Sequence, residues 1–294
     1  MKDFIKFIKY SRDLMNSILS REKGSASLHL TFVLGNESCD LDSVMSALAF
    51  AYLNFSNSSL PSQNQKTSLP ISNYYIPLLN VSRQDFASRF DSQYLLKKWG
   101  VFPEELIYFE ELLSYQKITV SQTQKVDGAH TPASLLYQNE WNNEKVSQNL
   151  DVLDQKKYFS NQKLMDPAQN FDIFLVDHNI LALSQNSLKS YIREIIDHHE
   201  DKVDSWLEPG QQVRKSIRLA GSCCVLVAER ILKEAREILD EELVFGLYLT
   251  IIVDSYNFDT KFKNIRWVEK DWEVFLELKE ILDKKCTCIF YLSA

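Results

Sequence analysis

The chain alternates short apolar runs with amphipathic stretches. Short apolar runs that stop at polar residues predict buried strands at 28–34, 74–79, 171–176 and 191–196, with a shorter candidate at 106–109. Apolar residues at helical spacing predict helices at 1–20, 43–55, 83–99, 222–239, 241–253 and 271–284, with Ser43 as the N-cap of the second. Strands alternating with helices predict an α/β fold: a mostly parallel sheet with helices on both faces.

The middle of the chain departs from this pattern. Residues 114–170 are polar, rich in Gln and Asn, and only weakly periodic. A stretch of this length inside a compact domain is usually functional or disordered. We expect a long polar insertion that is partly disordered.

Charge and cysteine content exclude several classes of protein. The net charge of -7 and the pI near 5.4 argue against a broad nucleic-acid surface, which needs an excess of Lys and Arg. Five cysteines without a pair of CxxC motifs disfavour a disulfide framework and a structural zinc site, and favour a cytoplasmic location. Charged residues interrupt the N-terminal amphipathic stretch too often for a membrane span.

Acidic and imidazole residues follow the predicted strands. Ligands gather at the carboxyl ends of the strands in a parallel sheet, and three predicted strands end in such residues. A fourth candidate, Asp254, closes an apolar segment, where burying a lone carboxylate is costly. The candidates are Asp40 and Asp42, Asp177 with His178, Asp197 with His198 and His199, and Asp254.

Each candidate also has an ordinary interpretation. Asp42 with Ser43 could be a helix cap, Asp177 a turn residue, and Asp254 a helix terminus. Adjacent His198 and His199 are harder to explain by packing. Taken together, carboxylates with some imidazole suit two divalent cations, Mn²⁺ or Mg²⁺, which can activate water and neutralise a phosphate.

Four segments carry a family resemblance. Residues 36–43 (NESCDLDS), 175–179 (LVDHN), 196–199 (IDHH) and 254–258 (DSYNF) resemble, in this order, the metal-binding motifs of the DHH phosphoesterase superfamily. The similar branch is the exopolyphosphatase and prune-like proteins, with family II inorganic pyrophosphatases as more distant relatives. The resemblance covers roughly residues 28–260.

The resemblance implies roles for individual residues. Asp40 and Asp177 would hold one metal, while Asp42, Asp177, His198 and Asp254 would hold the second. Asp177 would bridge the two ions, and His199 would face the substrate and assist the leaving phosphate, so that His199 and Asp177 are the expected catalytic residues. A weak-ligand or supporting role is implied for Asn36, His178 and Asp197. Asn36 stands where the pyrophosphatases carry a histidine, and no substrate-binding residue is assigned.

The resemblance also implies a function and a domain division. The expected enzyme is an exopolyphosphatase-like hydrolase that releases phosphate from inorganic polyphosphate, or a cyclic-nucleotide phosphodiesterase of the prune type. Residues 1–260 would form the metal-binding domain. Residues 261–294 would be a linker and the remnant start of the family's second domain, DHHA2, which is largely missing.

Alternatives remain open. The apolar run 286–294 suggests an alternative splice end or a misjoined gene model, so a catalytically impaired isoform that acts as an interaction or regulatory protein is the rival hypothesis. A nucleic-acid exonuclease is disfavoured by the acidic charge. The helix that begins at Gly221-Ser222 could offer backbone N–H groups to a phosphate, although packing is its simpler explanation.

Overall fold

The computed structural model describes residues 3–20, 29–58, 73–116 and 171–292. The strands are β1 (His29–Leu34), β2 (Asn73–Leu78), β3 (Phe171–Val176), β4 (Ile192–Asp197) and β5 (Arg214–Ile217). The helices are α1 (Phe4–Ser20), α2 (Leu41–Ser58), α3 (Phe90–Lys98), α4 (109–116), α5 (Cys223–Glu234), α6 (Glu241–Asp254) and α7 (Glu269–Leu292).

The five strands form one parallel sheet in the order β2-β1-β3-β4-β5. The apolar runs of β1 and β3 are almost entirely buried, as expected for strands covered on both faces. Because β1, β3 and β4 are adjacent and parallel, their carboxyl ends lie side by side. The predicted α/β class and the parallel sheet are confirmed.

Helices cover both faces of the sheet. Along β1, Val33 joins one hydrophobic cluster and Phe32 joins the other, following the alternation of side chains along a strand. The first cluster contains the buried residues of α2, α5 and α6, and the second contains Met15 of α1 and Leu112 of α4. Because the middle strands are buried on both faces, their carboxyl ends are where a ligand could reach them.

Several predicted boundaries differ from the structure. The predicted helix 83–99 is a 3₁₀ turn, Asp85–Ser88, followed by α3. The candidate strand at 106–109 is wrong, because Tyr108 makes an isolated bridge with Leu79 and α4 follows at once. Most of the predicted insertion, residues 117–170, lies outside the described residues.

The N-cap prediction at Ser43 is also wrong. α2 begins at Leu41, and the Asp40 carboxylate accepts the Ser43 N–H at 3.1 Å, so Asp40 occupies the capping position. The Ser43 hydroxyl instead accepts the Asn36 N–H at 2.7 Å. Asp and Ser can both cap a helix, and in this structure Asp40 does so.

Segment 255–292 packs on the sheet domain. Trp267, Val274, Phe275 and Leu278 belong to the same hydrophobic cluster as α2, α5 and α6. The predicted division near residue 260 stays a prediction, but these side chains do not lie apart from the core. Among the described residues, no helix combines the length and apolarity needed to cross a bilayer.

Candidate metal centre

The loop after β1 packs closely against Ser43 in the first turn of α2. A Cβ atom at Gly35 would lie 2.3 Å from the Ser43 hydroxyl oxygen, so only glycine permits this approach. The contact brings the start of α2 against the end of β1. Asp40 and Asp42 are thereby presented at the carboxyl edge of the sheet.

Asp42 is buried against the first turn of α5. Its carboxylate accepts the Cys223 N–H at 2.6 Å, the Cys224 N–H at 2.8 Å and the Ser222 hydroxyl at 2.7 Å. A carboxylate at a helix N-terminus is stabilised by these unpaired amides and by the helix dipole. The amides that the sequence offered as a possible phosphate site are therefore already occupied by Asp42.

Asp177 follows β3 in a left-handed backbone conformation, with φ of 64°. Asp tolerates this region better than most residues, yet it remains unusual and is often found at functional sites. The side chain accepts a hydrogen bond from the Asn36 amide at 2.5 Å. Burial, and next the charge of Asp42, raise the pKa of Asp177 well above its ordinary value.

His198 lies between the two aspartates. Its Nε2 is 3.1 Å from Asp177 Oδ1 and 3.6 Å from Asp42 Oδ2. Its Nδ1 is 2.9 Å from the Ala220 carbonyl oxygen. Burial lowers the pKa of His198, but the hydrogen bond with Asp177 and the charge of Asp42 outweigh it and raise the pKa to about 10.

Asp197 orients the neighbouring histidine. Its Oδ1 accepts the backbone N–H groups of His198 and His199 and lies 2.8 Å from His199 Nδ1, while its Oδ2 accepts the Asn179 amide at 2.5 Å. Both oxygens are thus engaged by the protein. The hydrogen bond that Asp197 accepts raises the pKa of His199, whose side chain is 56% exposed.

Asp254 is the last residue of α6, and its Oδ2 is buried without a hydrogen-bond partner among the described residues. Burial and then the charge of Asp42 raise its pKa from 3.8 to about 8. A buried carboxylate oxygen without a partner is costly. A bound cation would remove this cost.

The remaining candidates lie at the margin. Asp40 is exposed, and its charge contributes to the raised pKa values of both Asp177 and Asp254. Asn36 turns its amide nitrogen toward Asp177, because its oxygen accepts the Cys39 N–H at 3.1 Å. His178 directs Nδ1 to the Val176 carbonyl oxygen at 2.9 Å, and burial lowers its pKa.

The cluster as a whole has the composition of a divalent-metal site. Asp177, Asp197, His198 and His199 bring potential ligand atoms within 4.8 Å of one another, and Asp42 reaches the same histidine. In the described parts of the chain, no Lys or Arg forms an ion pair with Asp42, Asp177 or Asp254. Carboxylate and imidazole donors without a Lys or Arg partner fit a hard or borderline divalent ion.

Three supporting groups were not identified from the sequence as parts of the site. Ser222 donates to Asp42, Asn179 holds Asp197, and the carbonyl of Ala220 faces His198. Asn179 stood inside a motif that was already noted, so its polarity next to Asp177 was the available signal. The sequence gives no signal for the Ala220 carbonyl, because every residue has a backbone carbonyl group.

Known proteins are similar to this chain over most of its length. Human exopolyphosphatase PRUNE1 is 30% identical over 261 residues, which cover 86% of this chain and 43% of the human protein. A putative exopolyphosphatase of Schizosaccharomyces pombe is 25% identical over 311 residues, covering 96% of this chain and 62% of the yeast protein. The chain thus spans less than half of the human relative's length.

The chain also matches a solved structure and the DHH family. The crystal structure of a putative family II inorganic pyrophosphatase from Methanococcus jannaschii matches with a TM-score of 0.42 and 17% identity, over 87% of this chain and 55% of that chain. Residues 31–251 match the DHH family, N-terminal domain. These residues include Asp42, Asp177 and His198, and the chain belongs to the DHH family.

Proposed function

We propose that the chain is a divalent-metal-dependent phosphoanhydride hydrolase, exopolyphosphatase-like, that releases phosphate from inorganic polyphosphate. The observation that carries the proposal is the convergence of Asp42, Asp177 and His198, with distances of 3.1 and 3.6 Å from His198 Nε2 to the two carboxylates. Asp42 and Asp177 repel each other, and a bound cation would relieve that repulsion. The similarity to the human and yeast exopolyphosphatases supports the substrate class.

Two ions, Mn²⁺ or Mg²⁺, fit the donor set. Asp40 and Asp177 would hold one ion, and Asp42, Asp177, His198 and Asp254 the other, with Asp177 shared. When bound, such ions supply an activated water and neutralise phosphate charge. Asn36 supports Asp177 by hydrogen bonding, because its own oxygen is occupied by the Cys39 N–H.

His199 is the proposed proton donor to the leaving phosphate. Asp197 accepts a hydrogen bond from Nδ1 and fixes the ring, which leaves Nε2 of this exposed side chain as the nitrogen available to substrate. Asn179 in turn holds the second oxygen of Asp197. Asp197 is therefore proposed as a positioning residue rather than a ligand, and His178, which binds its own backbone, as a supporting residue.

The first test is phosphate release from tripolyphosphate by the 294-residue chain with Mn²⁺ or Mg²⁺. Asp177→Ala removes the shared carboxylate, and we expect its turnover to fall by at least about 10³-fold. The matched control is Asp172→Asn on the same strand, where the side chain pairs with His29 and Arg193 at the opposite end of β3. Turnover by Asp177→Ala at the wild-type rate would contradict the proposal.

The rival is an interaction or regulatory protein that keeps the metal fold without turnover. The observation in favour of this rival is that the matched region makes up only 43% of the human relative. Assaying the 294-residue chain beside a chain extended with a second domain separates the two. Activity confined to the extended chain would favour the rival, and hydrolysis of cyclic AMP in place of tripolyphosphate would favour the phosphodiesterase variant. The cytoplasmic location stays a prediction.

A further inference from the structure

His198 is supported from behind by a loop that precedes α5. The Ala220 carbonyl oxygen lies 2.9 Å from His198 Nδ1. A carbonyl can only accept, so neutral His198 carries its proton on Nδ1 and leaves the lone pair on Nε2. Nε2 is the nitrogen that faces Asp177 and Asp42.

The loop is tied to the first turn of α7 by one carboxylate. Asp271 is fully buried, and its Oδ2 accepts the Gly221 N–H at 2.7 Å and the Val268 N–H at 2.9 Å. Its Oδ1 has no hydrogen-bond partner among the described residues. One oxygen of Asp271 therefore joins the loop that carries Ala220 to the segment that carries Val268.

The two segments also touch through their backbones. A Cβ atom at Gly221 would lie 2.3 Å from the Arg266 carbonyl oxygen, too close for any side chain. Trp267 is buried beside this contact in the hydrophobic cluster of α5 and α6. Segment 266–271 therefore determines where the peptide that follows Ala220 lies.

We propose that Asp271 is a positioning residue for His198: by holding the Gly221 N–H, it fixes the Ala220 carbonyl that orients His198 Nε2 toward the cation. Asp271 and Arg266 lie beyond residue 251, where the match to the DHH family ends. The inference deepens the proposed function and rests on its metal centre. A purely structural role would make Asp271 important for the start of α7 and irrelevant to cation affinity.

The test is the Mn²⁺ affinity of the 294-residue chain, measured by isothermal titration calorimetry. Asp271→Ala should bind Mn²⁺ about 10–100-fold more weakly, the usual cost of losing a residue that orients a metal ligand. Asp271→Asn should stay within about 3-fold of wild type, because its amide oxygen can accept both N–H groups and its nitrogen replaces the unpartnered Oδ1. The conservative variant thus rescues the effect.

Asp240 provides a matched control. It begins α6 and accepts the Phe4 N–H at 2.6 Å and the Leu243 N–H at 3.0 Å, a comparable structural task about 20 Å along α6 from Asp254. Asp240→Ala should lower the melting temperature and leave Mn²⁺ affinity unchanged. If Asp271→Ala does not fold, Asp271→Ser, which is too short to reach Gly221, carries the same expectation.

The outcomes separate the two proposals. Wild-type Mn²⁺ affinity in folded Asp271→Ala or Asp271→Ser overturns the role of Asp271, and so does an equal loss in Asp240→Ala. A wild-type chain that binds Mn²⁺ without hydrolysing tripolyphosphate overturns the proposed function and leaves the role of Asp271 standing. A wild-type chain that does not bind Mn²⁺ overturns both.

Discussion

Buried carboxylates lie at two places along β4, and only those at one place are paired with arginine side chains. In the middle of the strand, Glu194 is fully buried and pairs with Arg214 at 2.6 Å and with Arg230 of α5. Past the end of the strand, His198 lies between Asp42 and Asp177, and the described residues supply no Lys or Arg to either.

The difference shows how the chain distributes charge compensation. The desolvation of Glu194 is offset inside the fold, where two guanidinium groups lie within hydrogen-bonding distance. At the strand end, the raised pKa values of Asp177 and Asp254 show that compensation is incomplete. Where repulsion between carboxylates remains, an external cation gains binding energy by relieving it.

The largest expected effect breaks the compensated group. Glu194→Gln leaves Arg230 with a neutral partner in a buried position, and removing one member of a buried pair costs about 3 kcal/mol of unfolding free energy. Chemical denaturation measures this loss, with exposed Glu280→Gln on α7 as the control that should leave stability nearly unchanged. A stable Glu194→Gln protein with weakened Mn²⁺ binding would reverse the comparison.

The same chemical change should act with the opposite sign in the uncompensated group. Asp254→Asn removes a carboxyl whose pKa is raised to about 8, so the metal-free protein should become more stable at pH 8. Mn²⁺ affinity should fall by at least about 10-fold. Denaturation in EDTA, followed by Mn²⁺ titration, reports both changes, and a destabilised metal-free variant would show that Asp254 is compensated by groups of the fold.

The smallest expected effect is a pH slope of metal-free stability. On folding, the pKa of Asp254 rises from 3.8 to about 8 and the pKa of His198 rises from 6.5 to about 10. Because the folded state therefore holds more protons than the unfolded state, stability falls as the pH rises through these ranges. The melting temperature in EDTA should drop by about 5 °C between pH 6.5 and pH 8.

Mn²⁺ should oppose this slope. Its ligands bind in the deprotonated state, so the gain in melting temperature on adding Mn²⁺ should grow with pH. Asp254→Asn provides the control, because it should flatten the metal-free slope. A metal-free melting temperature that rises over the same pH range would contradict the assigned pKa directions.

Much of the sheet was predictable because its strands are buried on both faces. The runs at 28–34 and 171–176 are apolar without alternation, as parallel strands usually are, and the structure places β1 and β3 there. β5 was missed, because Arg214–Ile217 is polar and its first three residues are exposed. A short strand at the edge of a sheet is defined by its pairing with β4, and pairing leaves no trace in composition.

The convergence of the candidate residues was predictable for a topological reason. Asp177 and His198 follow adjacent parallel strands, so their proximity follows from the strand order. The position of Asp42 against α5 was not predictable, since it depends on how α2 and α5 pack. The same holds for Asp40 replacing Ser43 at the cap, where the close contact with Gly35 decides between two residues of similar propensity.

The hydrogen bonds between Asp42 and α5 have a consequence for how the centre is loaded. The backbone N–H groups of Cys223 and Cys224 already hold the Asp42 carboxylate. The rotamer of Asp42 is therefore set when the chain folds and not when a cation binds. The entropy of ordering that side chain is then absent from the binding step. Cation binding should therefore leave the hydrogen exchange of the amides in the first turn of α5 nearly unchanged, because this part of the site is preorganised.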